Sequence, residues 1–108
     1  MGTRLEDADE VWVPLPVLAE AYFAALNSGR RRENRARLDD FLRGCRIAPM
    51  GPETALRYAQ LRLALQRKGR PIPANDMWIA GVCLERNLPL ATRNGHFDHV
   101  DGLERLAW

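Results

Sequence analysis

A chain of 108 residues is long enough for one hydrophobic core and too short for two ordinary domains, so residues 1–108 are read as a single domain. Its 46% hydrophobic and 28% charged content is that of a soluble globular protein, and no apolar run reaches the roughly 18 residues a membrane helix needs. A net charge of +2 gives no support to nucleic-acid binding through bulk charge, which needs a concentrated basic footprint.

The opening segment, Met1 to Glu10, is acidic and has no apolar centre, so no secretory leader is expected and a cytoplasmic location follows. Glu10 to Val13 reads as a short buried strand, rich in β-branched and aromatic residues and stopped by Pro14. Pro16 suits the first turn of a helix that runs to about Asn27, with Ser28 and Gly29 as its stop. A second helix, from about Arg32 to Arg43, is expected to bury Leu38, Phe41 and Leu42 and to end at Gly44. Arg46 to Met50 is a brief strand. Gly51, Pro52 and Glu53 open a longer helix to about Lys68, whose Leu56, Ala59, Leu63 and Gln66 recur at helical spacing beside Leu61 and Leu65.

The next segment is the most telling. Pro71 and Pro73 hold Arg70 and Ile72 away from helical geometry, so a helix starts only near Ala74. Met77 to Leu84 is then apolar apart from Gly81, too continuous for a one-sided helix, so this one is expected to be buried nearly all round as far as Asn87. A strand from Leu88 to Thr92, a loop or single turn from Gly95 to Gly102, and a last strand from Leu103 to Trp108 complete the chain. Strands alternating with helices predict an α/β layered domain with a mostly parallel sheet, and such sheets bind ligands at the carboxyl ends of their strands.

Two carboxylates stand out. Asp76 sits in the first turn of the apolar helix, where an acid either complements the helix dipole or belongs to a site. Glu20 is the one charge in L-P-V-L-A-E-A-Y-F-A-A-L: a buried carboxylate there needs a cation or donors, and otherwise it marks a solvent face shared with Pro16 and Asn27. Together with Asn94, just past the Leu88 to Thr92 strand, they gather hard oxygen donors that suit Mg²⁺ or Mn²⁺. Arg30, Arg31, Arg32, Arg35 and Arg37 are either a phosphate-binding cluster or a solvated helix face, the latter helped by the Glu33 to Arg37 spacing. Arg62, Arg67, Lys68 and Arg70 form a second basic stretch. His96 and His99 beside Asp98 and Asp101 invite a zinc reading, but no further nitrogen or sulfur ligand is spaced to close it. Cys45 and Cys83 lie in no metal-ligand arrangement and read as buried thiols; Trp12 and Trp78 read as core.

The segments V-W-V-P-L-P-V-L-A-E, I-P-A-N-D-M-W-I-A and L-P-L-A-T-R-N-G-H-F, in this order and spacing, resemble the PIN domain, in particular the VapC-type toxin endoribonucleases, over essentially the whole chain. The resemblance implies a three-layer α/β/α sandwich around a mostly parallel sheet. It also implies cleavage of RNA with Mg²⁺ or Mn²⁺, assembly as a dimer or higher oligomer, and a cognate antitoxin that holds the toxin inactive. By the same resemblance Glu20 matches the acid on the helix after the family's second strand, and Asp76 the acid of its P-x-N-D-x-W-I-A segment. Thr92 and Asn94 fall on its Thr-x-Asp. Arg93, with Arg30, Arg31 and Arg32, is the expected contact to the RNA backbone.

The chain departs from the pattern in two places. The family's first strand, with its D-T/S-N/S signature, and the following helix have no match here, so the domain is read as N-terminally truncated. That strand belongs centrally, between those of Trp12 and Leu90, so its loss predicts a seam that the acidic N-terminus or a neighbouring copy would cover. Asn94 replaces an acid, and Asp98 is either its substitute or a plain loop acid. The alternative to a nuclease is therefore a catalytically impaired PIN relative serving as a dimerisation or antitoxin-binding module.

Overall fold

Proline and the helix stops set most element boundaries in the computed structural model, which describes residues 11–92 and 95–106, and of His96 and Leu106 the backbone alone. The order is β1 (Val11–Pro14), α1 (Leu15–Leu26), α2 (Arg31–Leu42), β2 (Cys45–Ala48), α3 (Pro52–Lys68), α4 (Ala74–Arg86), β3 (Leu90–Ala91), a 3-10 turn (Gly95–His99) and β4 (Arg105–Leu106). Pro16 and Pro52 lie in the first turns of α1 and α3, and Pro73 precedes α4, where a missing N–H costs nothing. Gly69 closes α3 with φ of 68°, and Arg70 N–H reaches back to Leu65 O at 3.0 Å. Asn87 closes α4 in the same left-handed conformation, at φ 54°.

β3 is shorter than the Leu88 to Thr92 strand expected from sequence, for a local reason. Leu88 N–H is spent on Cys83 O at 2.8 Å in the helix stop, and Pro89 has no N–H to give. Ladder bonding therefore starts at Leu90, whose N–H donates to Glu104 O at 2.8 Å. The last strand likewise contracts to Arg105–Leu106. Residues 107 and 108 of the expected strand lie outside the described residues.

Among the described residues all strand pairing is parallel. β1 runs beside β2 from Val11↔Cys45 to Pro14↔Ala48, and β3 beside β4 as Leu90↔Arg105 and Ala91↔Leu106. Among the described residues these are two separate two-stranded sheets rather than one continuous sheet. The Trp12 strand lies in one sheet and the Leu90 strand in the other; a seam between them is the expectation from sequence. The acidic segment proposed to cover it, residues 1–10, lies outside the described residues.

Helix α4 occupies the middle of the molecule. Met77, Ile79, Ala80, Gly81, Val82 and Cys83 are all buried, as the continuous apolar run predicted. One side meets α3 so closely that a Cβ on Gly81 would stand 3.6 Å from both Thr54 O and Tyr58 N. The core joins Leu61 and Leu65 of α3, Ile72 of the proline loop and Met77, Ile79, Ala80 and Cys83 of α4 to Leu90, Phe97 and Val100. Tyr58 and Trp78 stack at a centroid distance of 4.2 Å. Burial pushes the Cys83 thiol up to about 12, whereas Cys45 is half-buried; both cysteines are free.

Three burial expectations need correction. On α3 the inward face is Thr54, Tyr58, Leu61 and Leu65, while Leu56 and Leu63 are exposed. Leucines populate both sides of this helix, so apolar spacing alone did not fix its phase. Thr54 is fully buried because it is useful: its Oγ1 accepts from Gly51 N–H at 3.0 Å and donates to the Glu85 carboxylate of α4. On α2 nothing is buried; Leu38 and Leu42 are intermediate and Phe41 is 59% exposed, because α2 packs chiefly against α1 and β2 and leaves the Phe41 ring lining an open groove. Trp12 and Trp78 are half-buried rather than deep in the core, and the guanidinium groups of Arg46 and Arg86 lie 5.7 and 5.9 Å from the Trp12 ring centroid.

Candidate active site

Asp76 reaches its position by local chain geometry. Ile72 is anchored in the core between two exposed prolines, Pro73 takes the position before the helix, and Met77 N–H closes the first turn on Pro73 O at 3.1 Å. Asn75 and Asp76 therefore stand at the N-terminal end of α4, where unpaired backbone N–H groups and the helix dipole favour negative charge. Asp76 is half-buried and Asn75 is exposed.

Glu20 comes from α1, which packs against α4. The Asn75 amide bridges the helices, donating from Nδ2 to Glu20 Oε1 at 3.1 Å. Two acids far apart in sequence are thus gathered around one helix start. Glu20 is exposed, so the buried-carboxylate reading is overturned and the solvent-face reading of the helix holds in part. Pro16 does not share that face, since it is buried in the first turn.

Of the remaining expected site residues, Asn94 and Arg93 lie outside the described residues. Asp98 is engaged elsewhere: Arg105 Nε and Nη2 donate to its two oxygens at 2.9 and 3.3 Å, and Nη1 donates to Thr92 O at 3.3 Å. It serves as a loop anchor, joining the 3-10 turn to Arg105 of β4. Asp101 is similarly held by Lys68 Nζ at 2.9 Å, and the same ammonium donates to His99 O.

Arg30, Arg31 and Arg32 are exposed on the turn and first residues of α2. Glu33 pairs with Arg30 at 3.6 Å rather than with Arg37, and Arg35 pairs with Asp39 at 3.4 Å while its guanidinium lies 5.0 Å from the Tyr22 ring centroid. Such exposed pairs contribute little stability. They leave positive charge on the surface beside a groove of about 550 Å³ between α1 and α2, lined by Ala21, Ala24, Ala25, Arg37, Leu38 and Phe41.

Among the described residues, no cluster of three or more His, Cys, Asp or Glu side chains is placed to hold a metal ion. The donors present are the carboxylates of Glu20 and Asp76, hard oxygens in a partly solvated setting. That set fits Mg²⁺ or Mn²⁺, which bind through one or two carboxylates and take their other ligands from water and phosphate; it does not fit an ion that needs a complete protein cage. Sequence reasoning missed the bridging role of Asn75 and the Arg105 and Lys68 anchors. Asn75 stands in the I-P-A-N-D motif beside Asp76, which was the available signal; nothing in sequence pointed to the other two.

The sequence and the fold match a known family. The PIN domain model matches residues 3–103, and the chain belongs to the PIN domain family. Ribonuclease VapC5 of Mycobacterium tuberculosis is 32% identical over 107 residues, a match spanning 94% of this chain and 78% of that protein. Among solved structures, VapBC2 of Rickettsia felis bound to a promoter DNA fragment superposes with a TM-score of 0.87 at 29% identity, covering 92% of this chain and 75% of that one. VapBC-5 of Mycobacterium tuberculosis, a member of the VapBC family of toxin–antitoxin systems, gives 0.82 at 26% identity over 100% of this chain and 91% of its own. The fold is the PIN-like α/β sandwich expected from the sequence. No helix among the described residues is long and apolar enough to cross a membrane.

Proposed function

We propose that this chain is a metal-dependent endoribonuclease of the PIN toxin type, acting in the cytoplasm and controlled by a cognate antitoxin. The observation that carries this reading is the Asn75 bridge, which holds Glu20 of α1 against the helix start bearing Asp76. Similarity to VapC5, named a ribonuclease, supports RNA as the substrate, and similarity to VapBC toxin–antitoxin assemblies supports the antitoxin.

Glu20 and Asp76 would hold Mg²⁺ or Mn²⁺, with Asn94 offering an uncharged oxygen donor. When bound there, such an ion would supply charge neutralisation at the scissile phosphodiester and acidity to a water. Asn75 keeps the Glu20 carboxylate facing the α4 terminus. Arg30, Arg31 and Arg32, with Arg93, attract the RNA backbone, a contribution that weakens as salt rises. Assembly as a homodimer or higher oligomer fits the exposed apolar side chains of Leu15, Phe23 and Leu26 on α1.

The test is direct. Incubation of the purified protein with RNA and Mn²⁺ should give cleavage that disappears on chelation and falls at least about a hundredfold in Asp76→Ala, since one removed group in a charge-stabilising site costs about that much. Cleavage by Asp76→Ala at the wild-type rate would sink the assignment.

A further inference from the structure

We infer that Asn75 is a positioning residue for the cation site, acting only through Glu20; this rests on the metal-dependent reading above. Glu20 is exposed and sits on a long side chain with several rotamers, so a free carboxylate there would seldom face α4. The 3.1 Å bond from Asn75 Nδ2 to Oε1 restricts that freedom. Its direction is chemically forced: an ionised carboxylate only accepts, so the NH₂ end of the amide must face Glu20. One carboxylate oxygen is thus engaged by the amide while Oε2 stays available to a cation. Asn75 sits next to Asp76 in the same turn, so one short segment carries both a ligand and the group that orients the second ligand.

The bond is also cheap to remove without disturbing the fold. Asn75 is exposed, is absent from the core and follows a proline that already starts the helix. Loss of a group that orients a metal ligand typically lowers metal affinity ten- to a hundredfold, and an exposed bond belongs at the lower end.

The experiment is Mn²⁺ titration by calorimetry on the full chain and on Asn75→Ala, Glu20→Gln and the double variant, with thermal melts of each. Asn75→Ala should bind Mn²⁺ about ten times more weakly at an unchanged melting temperature, and the double variant should match Glu20→Gln alone. Equal affinity in Asn75→Ala and wild type, or losses that multiply in the double variant, would overturn the positioning role while leaving the metal site intact. Absence of Mn²⁺ binding by the wild-type chain would remove the underlying reading, and this inference with it.

Discussion

The α3–α4 pair and the α1–α2 hairpin are built from similar lengths of helix but solve opposite problems. α4 is buried along most of its length and packs on α3 at Gly81, where a Cβ would be in ordinary contact with the Thr54 and Tyr58 backbone, with Thr54 and Glu85 joined across the pair. α2 buries nothing, and its pairing with α1 leaves Phe23, Leu26 and Phe41 open to solvent. The turn between α1 and α2 is instead fixed by polar bonds, with Ser28 Oγ donating to Ala25 O and Asn34 donating to Ser28 Oγ. One half of the molecule secures the fold, and the other presents a surface. Glu20 and Asn75 meet where the two halves touch.

Three measurements test that contrast. The largest effect is expected from Leu65→Ala, which empties a site that is 1% exposed and should cost about 2–5 kcal/mol by denaturant unfolding. A loss below about 1 kcal/mol would mean the α3–α4 core is far looser than its burial implies.

Within any one pH unit, a smaller effect than that of Leu65→Ala comes from alkaline pH. The Cys83 thiol ionises near 9 when unfolded and near 12 in the fold, because burial penalises the thiolate. The folded state then holds its proton where the unfolded state releases it, so the contribution is complete below pH 9 and is lost as pH rises toward 12. Stability should fall by up to about 1.4 kcal/mol per pH unit across that window relative to Cys83→Ala measured in parallel. Identical pH profiles for the two proteins would show that Cys83 is accessible to water.

The smallest effect is expected from Phe41→Ser, which should change stability by no more than about 0.5 kcal/mol, the range of ordinary surface substitutions. A drop comparable to that of Leu65→Ala would place the hairpin inside the cooperative core and erase the distinction.

Legibility from sequence followed the same divide. α4 was readable because prolines mark its start and its apolar run leaves no ambiguity of face, so the residue pattern alone placed Asp76 at the helix mouth. α3 was readable as a helix but not in its phase, because Leu56 and Leu63 compete with Leu61 and Leu65 and only the position of α4 decides between them. Phe41 misled because an aromatic residue at helical spacing signals burial only if something arrives to cover it. At the site, the two acids carried a sequence signal, whereas the amide that joins them depends on how α1 packs on α4. The Arg105 clamp on Asp98 and Thr92 is of the same kind, a tertiary contact made across the 3-10 turn.

The division of the strands into two pairs bears on how the molecule holds together as a unit. Among the described residues no ladder links β1–β2 to β3–β4, so neither pair is braced by the other's hydrogen bonds. β1 instead leans on α4, while Leu90 of β3 enters the same core as Ala80 and Cys83. Among the described residues the link between the two sheets is thus made by packed side chains, and α4 is the keel to which both are fastened.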